Sequence, residues 1–190
     1  MKRKLPLILG ACLILVSLGL VLVSQIRLHL GAQNSQQAVS KLEALLPDRT
    51  PGVPGEPAGM PVLELEGTDY VAILEVPSFG ITLPVAAHWD DSRLSHAPAR
   101  FYGSTGDNSL VIGGADDRRQ FGFCDKIDLG DRVTVTDMTG AQFTYTVSDV
   151  VRAKHAESQW LTSADCDLTL FCHDLYSMQY IAVRCTFAYS

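Results

Sequence analysis

The chain has 190 residues, 47% of them hydrophobic, with 21 acidic against 15 basic side chains and a formal net charge of −6. That length suits one domain with a proper core and leaves no room for two once the ends are set aside. All 21 acidic residues but only 11 of the 15 basic ones lie beyond residue 30, so the bulk of the chain is acidic and has no basic footprint for a nucleic acid.

Lys2, Arg3 and Lys4 precede an uncharged run from Leu5 to Val23. As a helix rising about 1.5 Å per residue, that run reaches roughly 28 Å, close to the thickness of bilayer hydrocarbon. The pattern predicts a basic cytoplasmic end at residues 1–4 and a single transmembrane anchor at 5–25. Basic residues ahead of the span keep the N-terminus in the cytoplasm and put everything beyond Gln25 outside the cell membrane. A cleaved signal peptide would have a shorter apolar stretch and a small-x-small site. Leu9-Gly10-Ala11-Cys12 has the form of a lipidation box, but the apolar run continues well past Cys12, which therefore reads as an unmodified cysteine.

From Gln33 to Leu46, Ala38, Val39, Leu42 and Leu45 recur at helical spacing and predict a short stalk helix that Pro47 ends. The Pro- and Gly-rich stretch up to Pro61 reads as an extended tether. Residues 26–62 are thus expected to be stalk and linker, and residues 63–190 the folded domain. Strand signals follow at Tyr70–Val76, Ile81–Val85, Ser109–Gly113, Arg132–Asp137, Gln142–Val151, Asp167–Phe171 and Tyr180–Phe187, with a Met138-Thr139-Gly140 turn between two of them. Many short strands with few helices predict a mainly β, closed or nearly closed barrel.

Cys124, Cys166, Cys172 and Cys185 fall in the exported part, where disulfides are chemically possible. No C-x-x-C pair or zinc-like spacing occurs, and the four read as buried thiols. Asp116, Asp117, Asp125, Asp128 and Asp131 crowd one connection without the spacing of an EF-hand loop, and read as a solvated acidic loop in preference to a calcium site. No metal and no cofactor is implied.

The order of several segments carries a family resemblance. Val71-Ala72-Ile73-Leu74-Glu75-Val76-Pro77 followed by Leu83-Pro84-Val85 resembles the opening strands of sortases. Ala97-Pro98-Ala99-Arg100-Phe101-Tyr102-Gly103-Ser104 and Val111-Ile112-Gly113-Gly114 resemble the approach to the catalytic histidine, and Phe121-Gly122 with Gly130-Asp131 the next turn. Asp167-Leu168-Thr169-Leu170-Phe171 and Val183-Arg184-Cys185 are similar to the strands around the catalytic cysteine. The resemblance covers roughly residues 70 to 187 and is to a class B-like or related Gram-positive sortase. It implies an eight-stranded β-barrel. In active members it implies a cysteine transpeptidase that cuts a sorting signal of the Leu-Pro-x-Thr-Gly type and joins it to a cell-wall or pilus amine.

That chemistry needs a thiolate nucleophile, a histidine to protonate the leaving amine and an arginine to stabilise the oxyanion. In the register that the resemblance implies, Ala115 stands at the histidine position, His173 at the cysteine and Tyr180 at the arginine, so all three are altered. A one-residue deletion would instead make Cys172 the nucleophile. Strand alternation sends Cys172 and His173 to opposite faces, so the two registers exclude one another. His88, His96 and His155 read as loop residues, and Arg118 and Arg119 as loop cations just past Ala115. The leading expectation is a degenerate sortase, or pseudoenzyme, that binds a sorting-signal peptide or assists an active sortase in surface-protein or pilus display. The alternative is an active transpeptidase built on Cys172.

Overall fold

The computed structural model describes residues 14, 16–19, 35–55, 59–155, 158–162 and 166–189. The chain divides into two compact units, Met1–Asn34 and Ser35–Ser190. Of the first, residues 14 and 16–19 are described and are helical; the rest of the expected anchor lies outside the described residues. No helix among the described residues is long and apolar enough to cross a membrane.

The second unit is a β-barrel. Two short strands, β1 (Thr50–Pro51) and β2 (Leu63–Leu65), flank eight longer ones: β3 (Thr68–Val76), β4 (Ile81–Ala86), β5 (Ala99–Tyr102), β6 (Leu110–Gly113), β7 (Arg132–Asp137), β8 (Ala141–Ala153), β9 (Leu168–Asp174) and β10 (Gln179–Phe187). The order β3-β4-β5-β6-β9-β10-β8 is closed into a ring by β7, which pairs with both β8 and β3. The predicted eight-stranded barrel is therefore present. Only β4–β5 and β6–β9 are parallel within the ring.

Alternation builds the interior. Leu110 and Ile112 of β6, Val133 and Val135 of β7, Phe143, Tyr145 and Val147 of β8, Leu168 and Leu170 of β9, and Ile181 and Val183 of β10 meet in one core. Asp137 shapes the β7–β8 hairpin, its Oδ1 accepting from Thr139 N (2.8 Å), Thr139 Oγ1 (2.6 Å) and Ala141 N (3.0 Å) while Gly140 takes φ of 83°. A Gly there avoids the steric cost that a side chain meets in the left-handed region.

The second compact unit begins at Ser35, ahead of the barrel strands. Residues 35–45 form a helix, α1, whose Val39 and Leu42 pack on Ile73 and Met138 outside the barrel. That cover explains why Val71–Leu74 is apolar throughout instead of alternating. The linker packs in part as well: Thr50 N donates to Gly140 O at 3.0 Å, Gly52 N to Gln142 O at 2.8 Å, and β1 lies parallel to β8. Proline is barred from the middle of a sheet but not from an edge, so Pro51 pairs where composition alone argued for a tether. The short helix α2 (Ser158–Thr162) and strand β5 are further elements that periodicity did not reveal.

Candidate functional site

The outward face of β9 and β10 carries two of the positions singled out from sequence, His173 and Tyr180. β6 and β9 run parallel with Gly113 opposite Phe171, and Gly114 N donates to Phe171 O at 3.0 Å. Leu168, Leu170 and Cys172 of β9 point into the core, which leaves Thr169, Phe171 and His173 facing outward.

His173 and Tyr180 are direct partners across β9 and β10. Their rings touch with centroids 4.6 Å apart and planes tilted by 44°. Beside them Trp89 stacks on Phe171 at 5.5 Å, and Phe101 meets both edge-on at 5.1 and 5.4 Å. Gly113 makes room for this layer: a Cβ there would lie 2.4 Å from the Trp89 ring and 2.6 Å from that of Phe171. Val111, Ala182, Leu161 and Trp160 complete the apolar surface. The aromatic layer was not foreseen, because Trp89 stands in a polar loop, Trp89-Asp90-Asp91-Ser92, and its indole Nε1 donates to Asp91 Oδ1 at 3.1 Å. The outward-facing Phe171 was the available signal.

Ala115 opens a tight turn after β6. Its carbonyl accepts from Asp117 N at 2.8 Å and Phe121 N at 3.0 Å, and its N–H donates to Gln120 Oε1 at 3.3 Å. A methyl group transfers no proton. Beyond β9, Asp174 fixes the β9–β10 turn by accepting from Ser177 Oγ (2.5 Å) and Tyr176 N (2.8 Å). Those two bonds, the Ser177 hydroxyl first, hold its carboxyl below the usual carboxylate range. The turn leaves Leu175, Tyr176 and Met178 exposed.

Cys172 is 1% exposed, and its Sγ lies 3.8 Å from Phe121 O inside the barrel. In the registers that pair β9 with β6 and β10, this thiol faces the core. Burial pushes the neighbouring Cys124 thiol well up, with a hydrogen bond to Cys172 adding to the effect, and burial raises Cys185 likewise. Cys166 is only half-buried and meets Thr169 Oγ1 at 3.2 Å, yet burial raises it too. The outward guanidinium of β10 is Arg184, whose Nη2 approaches Trp160 O at 3.5 Å. It stands four residues from Tyr180, about 13 Å along a strand.

The other candidates lie apart from one another. His88 pairs with Asp69 at 3.6 Å, the ring of His96 meets Ser95 Oγ at 3.1 Å, and His155 is exposed after β8. Arg118 and Arg119 are exposed in the turn after Ala115. In the acidic connection Asp117 Oδ1 accepts from Arg119 N and Asp131 Oδ2 from Asp128 N. Among the described residues no group of three or more His, Cys, Asp or Glu is arranged to hold a metal ion.

A closed eight-stranded barrel with a parallel β6–β9 pair and this outward face is the architecture of a sortase. The sortase domain model matches residues 74–185, more than half of the 190, and the chain belongs to the sortase family. Solved structures agree on the fold. Sortase C1 of Streptococcus agalactiae shares 22% identity at a TM-score of 0.58, over 67% of this chain and 72% of that one. A sortase D5 transpeptidase of Clostridium perfringens shares 18% at 0.56, over 64% and 80%. Sortase C of C. perfringens, solved with the C-terminal cell wall sorting motif, shares 20% at 0.56, over 65% and 72%. Comparison with curated protein sequences gives no match.

Proposed function

We propose that this domain is a catalytically degenerate, class B-like or related Gram-positive sortase. In this reading its N-terminal segment anchors it in the cell membrane, and its outward face binds sorting-signal peptides in the display of surface proteins or pili. The observation that supports this best is the His173–Tyr180 contact, an imidazole against a phenol where transpeptidation needs a thiol and a guanidinium. The thiol next to His173 in sequence, that of Cys172, lies in the core on the opposite face of β9. Loss of general acid catalysis costs about 10²–10⁴-fold and loss of one oxyanion contact about 10²–10³-fold. Together they remove turnover even before the nucleophile is counted.

Binding has separate support. Trp89, Phe101 and Tyr180 are part-exposed rings packed around the buried Phe171 on one face, and aromatic surfaces recognise apolar and proline-containing peptide segments. A related structure was solved with a cell wall sorting motif. The test is titration of the detergent-purified full chain with a sorting-signal peptide, followed by tryptophan fluorescence. Saturable binding without cleavage, weakened at least tenfold by Trp89→Ala, is expected. No saturable change would remove the peptide-binding role, and cleavage would replace it with catalysis.

A further inference from the structure

The β9–β10 turn carries a group of apolar side chains that peptide binding by the aromatic layer does not use. Leu175 is 70% exposed, Tyr176 99% and Met178 65%. Asp174 sets the turn: its Oδ2 accepts from Ser177 Oγ, and its Oδ1 accepts from the N–H groups of Tyr176 and Ser177. The carboxylate at the base of the tip is thus committed to the turn's own donors. Met178 is held at φ of 54°, a left-handed conformation uncommon for a side chain of that size.

Cations border this tip. Gln179 is opposite Asp174 and Tyr180 is opposite Ala153, so the end of β8 lies beside the base of the turn. There Arg152 and Lys154 are exposed. Arg118 is exposed in the turn after β6, a strand that runs parallel to β9 and ends with Gly113 opposite Phe171. A domain that is acidic as a whole therefore groups cations around an exposed apolar turn. That combination fits the boundary of a bilayer, where apolar side chains enter between the headgroups, a phenol sits at headgroup level and cations meet anionic lipid.

We propose that this rim docks on an anionic bilayer surface, with Leu175, Tyr176 and Met178 entering the interface and Arg152, Lys154 and Arg118 meeting lipid phosphates. The proposal rests on the reading above only for the N-terminal anchor, which delivers the domain to that surface. Nine residues, 26–34, separate the expected span from Ser35, and a chain of that length reaches at most about 30 Å. Ser35 donates its hydroxyl to His96 O at 2.8 Å, just ahead of β5, whose Ala99 is opposite Gly113. The folded unit therefore begins near the end of β6 from which the turn bearing Arg118 departs. A tether that short keeps the rim at high effective concentration beside lipid, so contacts that are weak one by one suffice. Tyr180 follows Met178 by two residues and His173 precedes Leu175 by two, so the docked rim holds the His173–Tyr180 face next to the headgroups.

The test reads the tip in the full chain reconstituted into phosphatidylcholine vesicles with or without phosphatidylglycerol. Tyr176→Trp adds an emission that is isolated by difference from the wild type, whose tryptophans are Trp89 and Trp160. Because Tyr176 is 99% exposed, the substitution leaves the barrel undisturbed. With phosphatidylglycerol the added emission is expected to shift to the blue and to be quenched about twofold or more by lipids brominated on the acyl chain. Arg152→Glu combined with Lys154→Glu should return it to a solvent-like, unquenched state. Emission that stays red and unquenched in both vesicle types, while the chain floats with both, overturns the docking and leaves the anchor standing. A blue shift without quenching by brominated lipid also overturns it, because a protein surface such as a second copy then covers the tip. Quenching that is equal without phosphatidylglycerol, or that survives the double charge reversal, overturns the role of anionic lipid. Flotation and quenching only with phosphatidylglycerol support the docking and remove the anchor, whereas a chain that floats with neither vesicle loses both.

Discussion

The rings of His173 and Tyr180 meet at 4.6 Å between centroids, at directly opposed positions of β9 and β10. The contact joins the two positions that resemblance assigns to a nucleophile and an oxyanion cation, and neither side chain supplies its function. Rebuilding therefore needs all the parts at once. Ala115→His, His173→Cys and Tyr180→Arg together are expected to give sorting-signal cleavage at least 10²-fold above any of the three alone, read by mass spectrometry of the peptide. Parts of a catalytic unit are strongly non-additive, so the single variants should remain near background. A single variant with turnover equal to the triple would mean that the other two positions were assigned wrongly.

The aromatic layer depends on the absence of one side chain. At Gly113 a Cβ would sit 2.4 Å from the Trp89 ring, so Gly113→Ala must displace Trp89 or the strand. Overpacking of this kind costs about 1–3 kcal/mol. Urea unfolding should show a loss in that range, with a changed tryptophan spectrum. An unaltered midpoint and spectrum would show that Trp89 does not rest on β6.

The stalk helix is part of the folded unit. Leu42 is fully buried while Leu45, one turn on, is 59% exposed. Leu42→Ala should cost about 2–5 kcal/mol, against a change within about 0.5 kcal/mol for Leu45→Ala. Equal effects would return residues 35–45 to the role of a tether.

Alkaline pH should destabilise the reduced protein. Burial raises the Cys185 thiol in the folded state, whereas the unfolded thiol ionises near about 8.5. Above that value the unfolded chain releases a proton that the native chain keeps, so stability is complete below it and falls as pH rises. The slope contributed is about 1.4 kcal/mol per pH unit for each such thiol. Cys185→Ala should flatten the decline in unfolding free energy between pH 8.5 and 10.5, a window set by about that unfolded value. A slope unchanged by the substitution would mean that the thiol is hydrated in the native state.

Much of the barrel was legible, because alternation in Arg132–Asp137 and the Met138-Thr139-Gly140 turn state a hairpin locally. Alternation also told that Cys172 and His173 face opposite ways, though which one faces the core depended on pairing with β6. Long-range pairing was the hidden part. Nothing near β7 says that it will close the ring on β3, and nothing near Pro51 says that an edge of β8 is free to receive it. Trp89 was hidden for a similar reason: its neighbours Asp90 and Asp91 describe a wet loop, and only the space above Gly113, distant in sequence, makes it half-buried.

The most direct measurement is turnover of a sorting-signal peptide by the purified full chain, with an acceptor amine present and an active sortase cleaving the same peptide alongside. The account predicts no product above background and an identical trace for Cys172→Ala. Product that forms with the wild type and vanishes with Cys172→Ala would contradict it and make Cys172 a nucleophile.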